Sequence, residues 1–145
     1  MANDRKFKNS YGNNFARNRE ETQFDTLDLA QELKHKVSKY VMNEKRVPTR
    51  WRYMNGKPAI DYARHIRDLV SMANEIQLNQ ENIEKRNELQ KQAVAYCNIL
   101  QLQLTDIIAE CEGATHENMR EITDTMDKLI GKIVNWNKSD DKRAR

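Results

Sequence analysis

Residues 119–136, MREITDTMDKLIGKIVNW, carry apolar side chains at alternating intervals of three and four positions. These positions are Met119, Ile122, Met126, Leu129, Ile133 and Trp136. An α-helix completes a turn about every 3.6 residues, so this spacing places all six side chains on one face. The stretch therefore predicts an amphipathic helix with a narrow apolar seam, of the kind that packs nearly parallel to its neighbours.

The same spacing recurs three times earlier in the chain. The predicted stripes are Leu29, Leu33, Val37 and Tyr40/Val41; then Tyr62, Ile66, Leu69, Ala73 and Ile76; then Ala93, Cys97, Leu100, Leu104, Ile107 and Cys111. No long alternating run of β-branched residues competes with these helices. Four amphipathic helices joined mostly by short links predict an all-α, up-down-up-down four-helix bundle.

Turn and capping residues give the expected boundaries of the helices. Pro48 stops the first stripe, because the residue before a proline leaves the helical region. A loop is expected to follow through Asn55-Gly56, with Pro58 as the first residue of the second helix. Gly113 is expected to cap the third helix at its C-terminus, and Thr115 to cap the fourth.

The ends of the chain lack this periodicity. Residues 1–24 predict a flexible basic N-terminal arm, and the bundle is expected over residues 25–137, with Asp25 or Thr26 as the first cap. Residues 138–145 are interpreted as a frayed, charged C-terminal tail. The bases Arg64, Arg67, Lys85, Arg86 and Lys91 are interspersed with acids, and we interpret them as ordinary surface or inter-helix pairs.

Composition and cysteine usage narrow the class of protein. The 145 residues include only four glycines and two prolines, which is typical of a helical protein. No apolar run reaches the roughly 18 residues of a membrane span, and no apolar segment near the N-terminus resembles a secretory signal. Cys97 and Cys111 lie about 21 Å apart along one predicted helix, too far for a disulfide. We therefore expect free thiols in a cytoplasmic protein without membrane contact.

No pattern of catalytic or metal-binding residues emerges. The sequence lacks a Gly-rich phosphate loop, a nucleophile elbow and an H-E-x-x-H pair. His35, His65 and His116 show no metal-ligand spacing. Glu81, Glu84 and Glu88 have no Glu-x-x-His partners for a di-iron site. We predict a non-enzymatic protein without a cofactor or metal.

Basic charge is concentrated in one part of the chain. Between positions 34 and 57 stand Lys34, Lys36, Lys39, Lys45, Arg46, Arg50, Arg52 and Lys57, with Glu44 as the only acid. This segment has a local balance of +7 within a net charge of +3. One acid along the sequence cannot balance eight cations, so the segment predicts a surface that binds a polyanion.

The loop of this basic segment interleaves aromatic and guanidinium groups in the order Arg50-Trp51-Arg52-Tyr53. Arginine pairs with phosphate, and tryptophan or tyrosine stacks on bases, so the loop predicts a nucleic-acid contact. In the alternative interpretation, Trp51 and Tyr53 tuck under the end of the bundle while the arginines pair with acidic neighbours. The sequence alone leaves both interpretations open.

Over about residues 26–143 the chain resembles a known family. The resemblance rests on Pro48-Thr49-Arg50-Trp51-Arg52, Ala73-Asn74-x-Ile76, Arg86-x3-Gln90-x2-Ala93-x3-Cys97-x2-Leu100 and Trp136-x-Lys138-Ser139-Asp140-x-Lys142-Arg143. It is similar to the four-helix-bundle proteins related to the accessory variability determinant (Avd) of diversity-generating retroelements. A sister branch of that family is encoded within intervening sequences of bacterial large-subunit ribosomal RNA.

The resemblance implies a barrel-shaped homopentamer with a basic surface that binds RNA or DNA without strong sequence choice. It also implies a reverse transcriptase as partner, with which Avd-like proteins support template-primed cDNA synthesis during mutagenic retrohoming. The Asn-rich arm and the acidic character of helices two to four depart from the family pattern. The alternative function is a structural or protein-interaction bundle whose basic loop docks an acidic protein partner.

Overall fold

The computed structural model describes the backbone of residues 17–144 and the side chains of residues 25–144. These residues form four long helices, α1 Arg17–Val41, α2 Lys57–Glu75, α3 Ile83–Glu110 and α4 Arg120–Ala144. Each helix packs against its neighbour in sequence, and α4 closes the ring against α1. The hydroxyl of Tyr40 donates a hydrogen bond to the side-chain oxygen of Asn118, which brings the end of α1 to the beginning of α4. The predicted all-α four-helix bundle is confirmed.

The apolar seams of α3 and α4 lie where the spacing predicts them. Every residue of both predicted stripes is buried. The seams of α1 and α2 also lie on the predicted faces, and their buried members are Leu33, Val37, Tyr40, Val41, Ile66, Leu69 and Ala73. Leu29, Tyr62 and Ile76 are only partly buried, and Ala30 and Ala63 are buried next to two of them. Small side chains let helix backbones approach closely, and the larger neighbours then cover the edges of the seam. Alanine gives too weak a hydrophobic contrast for the sequence to assign these two positions correctly.

The predicted loop at Asn55-Gly56 is wrong, because the chain is helical from Thr49 onward. A turn of α-helix over Thr49–Trp51 continues through a π-helical segment, Arg52–Gly56, directly into α2. A side chain at Gly56 would place its Cβ 2.5 Å from Cγ1 of Val41. This glycine is therefore explained by the close approach of the π-helical segment to α1, and not by a turn.

The connection between α3 and α4 depends on another close approach. At Gly113 a Cβ would lie 1.7 Å from the carbonyl oxygen of Lys45. No glycine among the described residues has a positive φ, so the expected left-handed C-cap at Gly113 is wrong. Thr115 does cap the helical turn that leads into α4: its hydroxyl accepts the N–H of Asn118, and Asn118 Oδ1 accepts the N–H of Thr115.

Both expected ends of the bundle differ from the structure. The helix α1 already begins at Arg17, upstream of the caps predicted at Asp25 or Thr26. Residues 1–16 of the predicted arm lie outside the described residues. At the other terminus, α4 continues to Ala144, and Asp140 is fully buried. The interpretation of residues 138–144 as a frayed tail is therefore wrong.

Candidate nucleic-acid interface

The basic segment lies at one end of the bundle, which we call the basic end; it comprises residues 42–57 and the α3–α4 connection, residues 111–119. Glu44 organises this end. Its carboxylate accepts the hydroxyl of Thr49 at 2.5 Å and the N–H of Thr49 at 3.1 and 3.2 Å. The hydroxyl bond, followed by the N–H bond, holds the pKa of Glu44 below its usual range. The carboxylate thereby stabilises the start of the Thr49–Trp51 turn.

Side chains from α3 fix the π-helical segment. The side-chain amide of Asn55, which is buried, donates to the carboxylate of Glu110. The amide of Gln103 donates to the backbone carbonyl of Asn55 at 3.3 Å. Together with the contact of Gly56 against Val41, these bonds tie the segment to two helices. Side chains that project from it therefore stand on a fixed backbone.

Three of the predicted contact cations are engaged within the fold. Arg52 donates to the carbonyl of Met42 at 3.0 Å and to Glu44 at 3.1 Å. Lys57 pairs with Asp61 of the next turn at 2.7 Å. Lys36 donates to the hydroxyl of Thr125 on α4 at 2.9 Å and lies 3.6 Å from Glu32. These three side chains therefore already have polar partners within the fold.

Five other predicted cations form no ion pair with a carboxylate in the described part of the chain. They are Lys34, Lys39, Lys45, Arg46 and Arg50. Lys45 and Arg50 are exposed at the basic end, Arg46 is half-buried beside them, and Lys39 is exposed in the last turn of α1. Lys34 is half-buried further down α1. Four of the five cations thus lie toward the same end of the bundle.

The two aromatic side chains of the loop have different environments. Trp51 is half-buried and packs against the core, with the Arg50 guanidinium carbon 5.9 Å from its ring centroid. Tyr53 is 78% exposed. The alternative interpretation, an aromatic tucked under the bundle, therefore describes Trp51. Only Tyr53 presents an open ring face.

The local charge of the basic end is lower than the sequence suggests. The α3–α4 connection brings Glu112 and Glu117 to this end, and Glu110 contacts the π-helical segment. The statement that Glu44 alone opposes the cations is therefore wrong in three dimensions. These acids come from a part of the sequence some sixty residues away, and no local count of charge includes them.

The far end of the bundle holds a buried ion pair that the sequence analysis missed. Arg86 is 2% exposed and donates to Asp140 at 2.7 and 3.2 Å and to the carbonyl of Ile76 at 2.7 Å. Its guanidinium carbon lies 5.2 Å from the centroid of the Trp136 ring. The interpretation of Arg86 as an ordinary surface or inter-helix pair understates its role, because this side chain is inside the bundle.

Two amides complete this buried network, which we call the anchor cluster: Arg86, Gln90, Asn137 and Asp140. Gln90 donates to Asp140 at 2.7 Å, and Asn137 donates to Gln90 at 2.7 Å. Positions 86 and 90 continue the stripe of α3 upstream of Ala93, and position 140 continues that of α4 beyond Trp136. This spacing indicates that the three positions face the inside of the bundle, but a search for apolar stripes does not find it because the residues are polar.

No family model, curated protein or solved structure matches this chain. The resemblance to the Avd-like proteins therefore rests on the quoted motifs, of which the third and fourth meet in the anchor cluster. Within residues 17–144, no helix combines the length and apolar character needed to cross a bilayer. Cys97 and Cys111 are both buried free thiols, and burial raises the pKa of Cys97 to about 12.

Proposed function

We propose that this protein is a non-enzymatic, homo-oligomeric accessory protein that binds RNA or DNA through its basic end. In accord with its resemblance to the Avd-like family, it associates with a reverse transcriptase and supports template-primed cDNA synthesis in a diversity-generating retroelement. The observation that carries the nucleic-acid part is the group of Lys39, Lys45, Arg46 and Arg50 at one end of the bundle, none in an ion pair with a described carboxylate.

Unpaired cations at such a surface attract a polyanion, because phosphate contacts release counterions from nucleic acid. The nearby carboxylates of Glu112 and Glu117 keep the charge of one copy modest. A single copy is therefore expected to bind weakly. Several copies in one assembly would present the same basic surface repeatedly, and avidity would raise the affinity without any new contact.

The outward face of α3 supports self-association. From Gln92 to Thr105 the helix has no charged residue, although 32% of the chain is charged. Exposed on this stretch are Gln92, Ala95, Asn98, Ile99, Gln101, Leu102 and Thr105, and Leu102 is 69% exposed. An exposed helix face that carries apolar side chains and no charge suits the central part of a protein interface, where charged residues are depleted. The partner we propose for this face is a second copy of the chain.

Charge reversal at the basic end tests nucleic-acid binding. Lys45→Glu combined with Arg50→Glu should weaken binding and lower the slope of log affinity against log salt by about one for each lost phosphate contact. Arg52 is unsuitable because its reversal would place a second carboxylate beside Glu44. The measurement is fluorescence anisotropy of a labelled oligonucleotide over a salt series.

The matched control is Lys91→Glu combined with Lys132→Glu, the same change of charge at two exposed lysines elsewhere on the bundle. This control should bind nearly as tightly as the unmodified protein, and circular dichroism should show equal helicity for both variants. Equal loss of affinity in the two variants would assign the binding to net charge alone. Binding by neither variant nor the unmodified protein at physiological salt would contradict the proposed function.

Self-association is tested by Leu102→Asp, which places a charge on the uncharged α3 face. Light scattering after size-exclusion chromatography should show the mass of an oligomer for the unmodified protein and a smaller mass for the variant. Val134→Asp on α4, another exposed apolar position, is the control and should keep the oligomeric mass. A monomeric mass for the unmodified protein at tens of micromolar would contradict this part of the proposal.

The retroelement role is tested at the gene's own locus and by co-purification. We expect a neighbouring reverse transcriptase gene with template and variable repeats, and a complex of the two proteins when they are expressed together. A locus without a reverse transcriptase would contradict this role while leaving nucleic-acid binding to be judged on its own.

A second candidate function is docking of an acidic protein partner by the same end. It is favoured by Met42 and Met54 of the basic end, which are 60% and 66% exposed and offer apolar contact area typical of protein interfaces. A gel shift at physiological salt separates the two functions. A shift with an oligonucleotide supports the proposed function, and its absence favours the protein partner.

A further inference from the structure

Tyr53 carries the one aromatic ring within residues 25–144 that is largely exposed. Tyr40 and Trp136 are buried, and Trp51, Tyr62 and Tyr96 are partly buried. A single exposed ring needs no explanation by itself. At the basic end, however, the open ring face lies on the same surface as cations that form no ion pair with a described carboxylate, and it is available to a partner there.

The backbone beneath Tyr53 is held on both sides. The side chain of Arg52, the preceding residue, donates hydrogen bonds to the carbonyl of Met42 and to the carboxylate of Glu44. The side chain of Asn55, two residues later, donates a hydrogen bond to Glu110, and its backbone carbonyl accepts one from Gln103. The ring therefore projects from a fixed turn with only its own side-chain torsions free. Such pre-organisation lowers the entropy lost when a partner orders the side chain.

The chemistry around the ring suits a nucleotide. Arg50 is exposed within one helical turn of Tyr53, and Lys45 is exposed in the adjoining loop. Neither forms an ion pair with a carboxylate of the described residues. The aromatic face can stack on a base while the cations contact the flanking phosphates. A base can stack in this way only when its own face is open, which excludes bases inside a duplex.

We propose that Tyr53 is a stacking platform for one unpaired base, and that the protein consequently binds single strands in preference to a duplex of the same sequence. This inference rests on the proposed function, because it names the form of nucleic acid that the basic end takes. Stacking on an aromatic ring tolerates every base, so the preference is for strand form and not for sequence.

The test compares one oligonucleotide sequence as a single strand and as a duplex, by anisotropy at a fixed salt concentration. Tyr53→Ala should weaken single-strand binding about 5-fold to 150-fold and leave duplex binding unchanged, since stacking contributes roughly 1–3 kcal/mol per base. Tyr53→Phe, which keeps the ring, should retain the single-strand preference. Met72→Ala removes an exposed apolar side chain from α2 and should change neither affinity.

The outcomes separate the two proposals. Single-strand binding that is equal in Tyr53→Ala and the unmodified protein overturns the inference and leaves the proposed function standing. An equal loss for single strand and duplex also overturns it, since the ring would then act through the shape of the surface. Failure of the unmodified protein to bind either form overturns the proposed function itself.

Discussion

The two ends of the bundle use charged side chains in opposite ways. At the far end, the anchor cluster buries Arg86 and Asp140 together and satisfies them with amides and a backbone carbonyl. At the basic end, Lys45 and Arg50 remain exposed and unpaired with any described carboxylate, while Arg52 is engaged by Glu44. The charged side chains of the far end are buried and link α3 to α4. Those of the basic end include exposed cations that are available to a partner.

This difference teaches that sequence context is a poor guide to the environment of a charge. Arg86 follows Glu81 and Glu84 and resembles a solvated helix residue, yet it is buried. The segment around Arg50 has a large local surplus of cations, yet Glu110 of α3 contacts the same segment through Asn55. In both cases the carboxylate is distant in sequence.

The largest expected effect comes from removing the acid of the anchor cluster. Asp140→Ala leaves the Arg86 guanidinium buried without its counter-ion, which should lower the free energy of unfolding by about 3–5 kcal/mol. Urea denaturation followed by circular dichroism measures the change. Asp106→Ala, at an exposed carboxylate of α3, is the control and should shift the unfolding free energy by less than about 0.5 kcal/mol.

A double variant sharpens the result. Arg86→Met combined with Asp140→Leu removes both charges and fills the space with apolar atoms, so it should be far less destabilising than Asp140→Ala alone. Comparable destabilisation by Asp140→Ala and by the Asp106→Ala control would show that the buried pair does not hold the two helices together.

The next largest effect is expected in the α3–α4 connection, where Gly113 lies against the backbone of Lys45. Gly113→Ala directs a Cβ into the carbonyl of Lys45, and the backbone shift it forces should cost about 1–3 kcal/mol. Gly131→Ala is the matched control: its Cβ would meet nothing within 4 Å, and alanine in a helix interior should stabilise by about 0.5–1 kcal/mol. Thermal unfolding should therefore move in opposite directions for the two variants. Equal shifts would contradict the close approach.

The smallest expected effect concerns the carboxylate that organises the basic end. Because the folded-state pKa of Glu44 is lowered, its contribution to stability is present above the ordinary value of 4.5 and is lost as the pH falls through the lowered value. Glu44→Gln should therefore be slightly less stable than the unmodified protein at pH 7, and the difference should disappear in acid. The measurement is the thermal midpoint across a pH series.

Glu112→Gln, an exposed glutamate of the same end, is the control and should show a smaller dependence on pH. A constant difference between Glu44→Gln and the unmodified protein from pH 7 down to strongly acidic pH would show that the bonds to Thr49 and Arg52 do not depend on the charge of Glu44.

Strict periodicity predicted the parts of the fold that periodicity alone determines. The stripes of α3 and α4 are regular and rich in large apolar residues, and all their members are buried. Periodicity did not identify the seam positions Ala30 and Ala63, because alanine gives little hydrophobic contrast with the larger residues beside it. Arg86 and Gln90 have the spacing of the α3 stripe, but a stripe defined by apolar residues leaves polar side chains out.

The sequence predicted where the candidate surface lies, but not which of its side chains are available to a partner. The sequence located the cations near one another, and the structure keeps Lys39, Lys45, Arg46 and Arg50 at one end. The sequence did not distinguish them from Arg52, which is engaged by Glu44 eight positions earlier. Nor did it separate Trp51, which packs on the core, from Tyr53, which projects outward.

The π-helical segment has a consequence for how this surface can change. A π-helical turn holds about one more residue than an α-helical turn, so Arg52–Gly56 corresponds to a one-residue insertion in a continuous helix. Deleting a single residue there would turn positions 49–53 by about 100° relative to the buried side of α2. The surface would keep nearly the same residues, but their side chains would point in a different direction relative to the bundle. A one-residue deletion within this segment would therefore turn the same side chains toward a different direction without changing their identity.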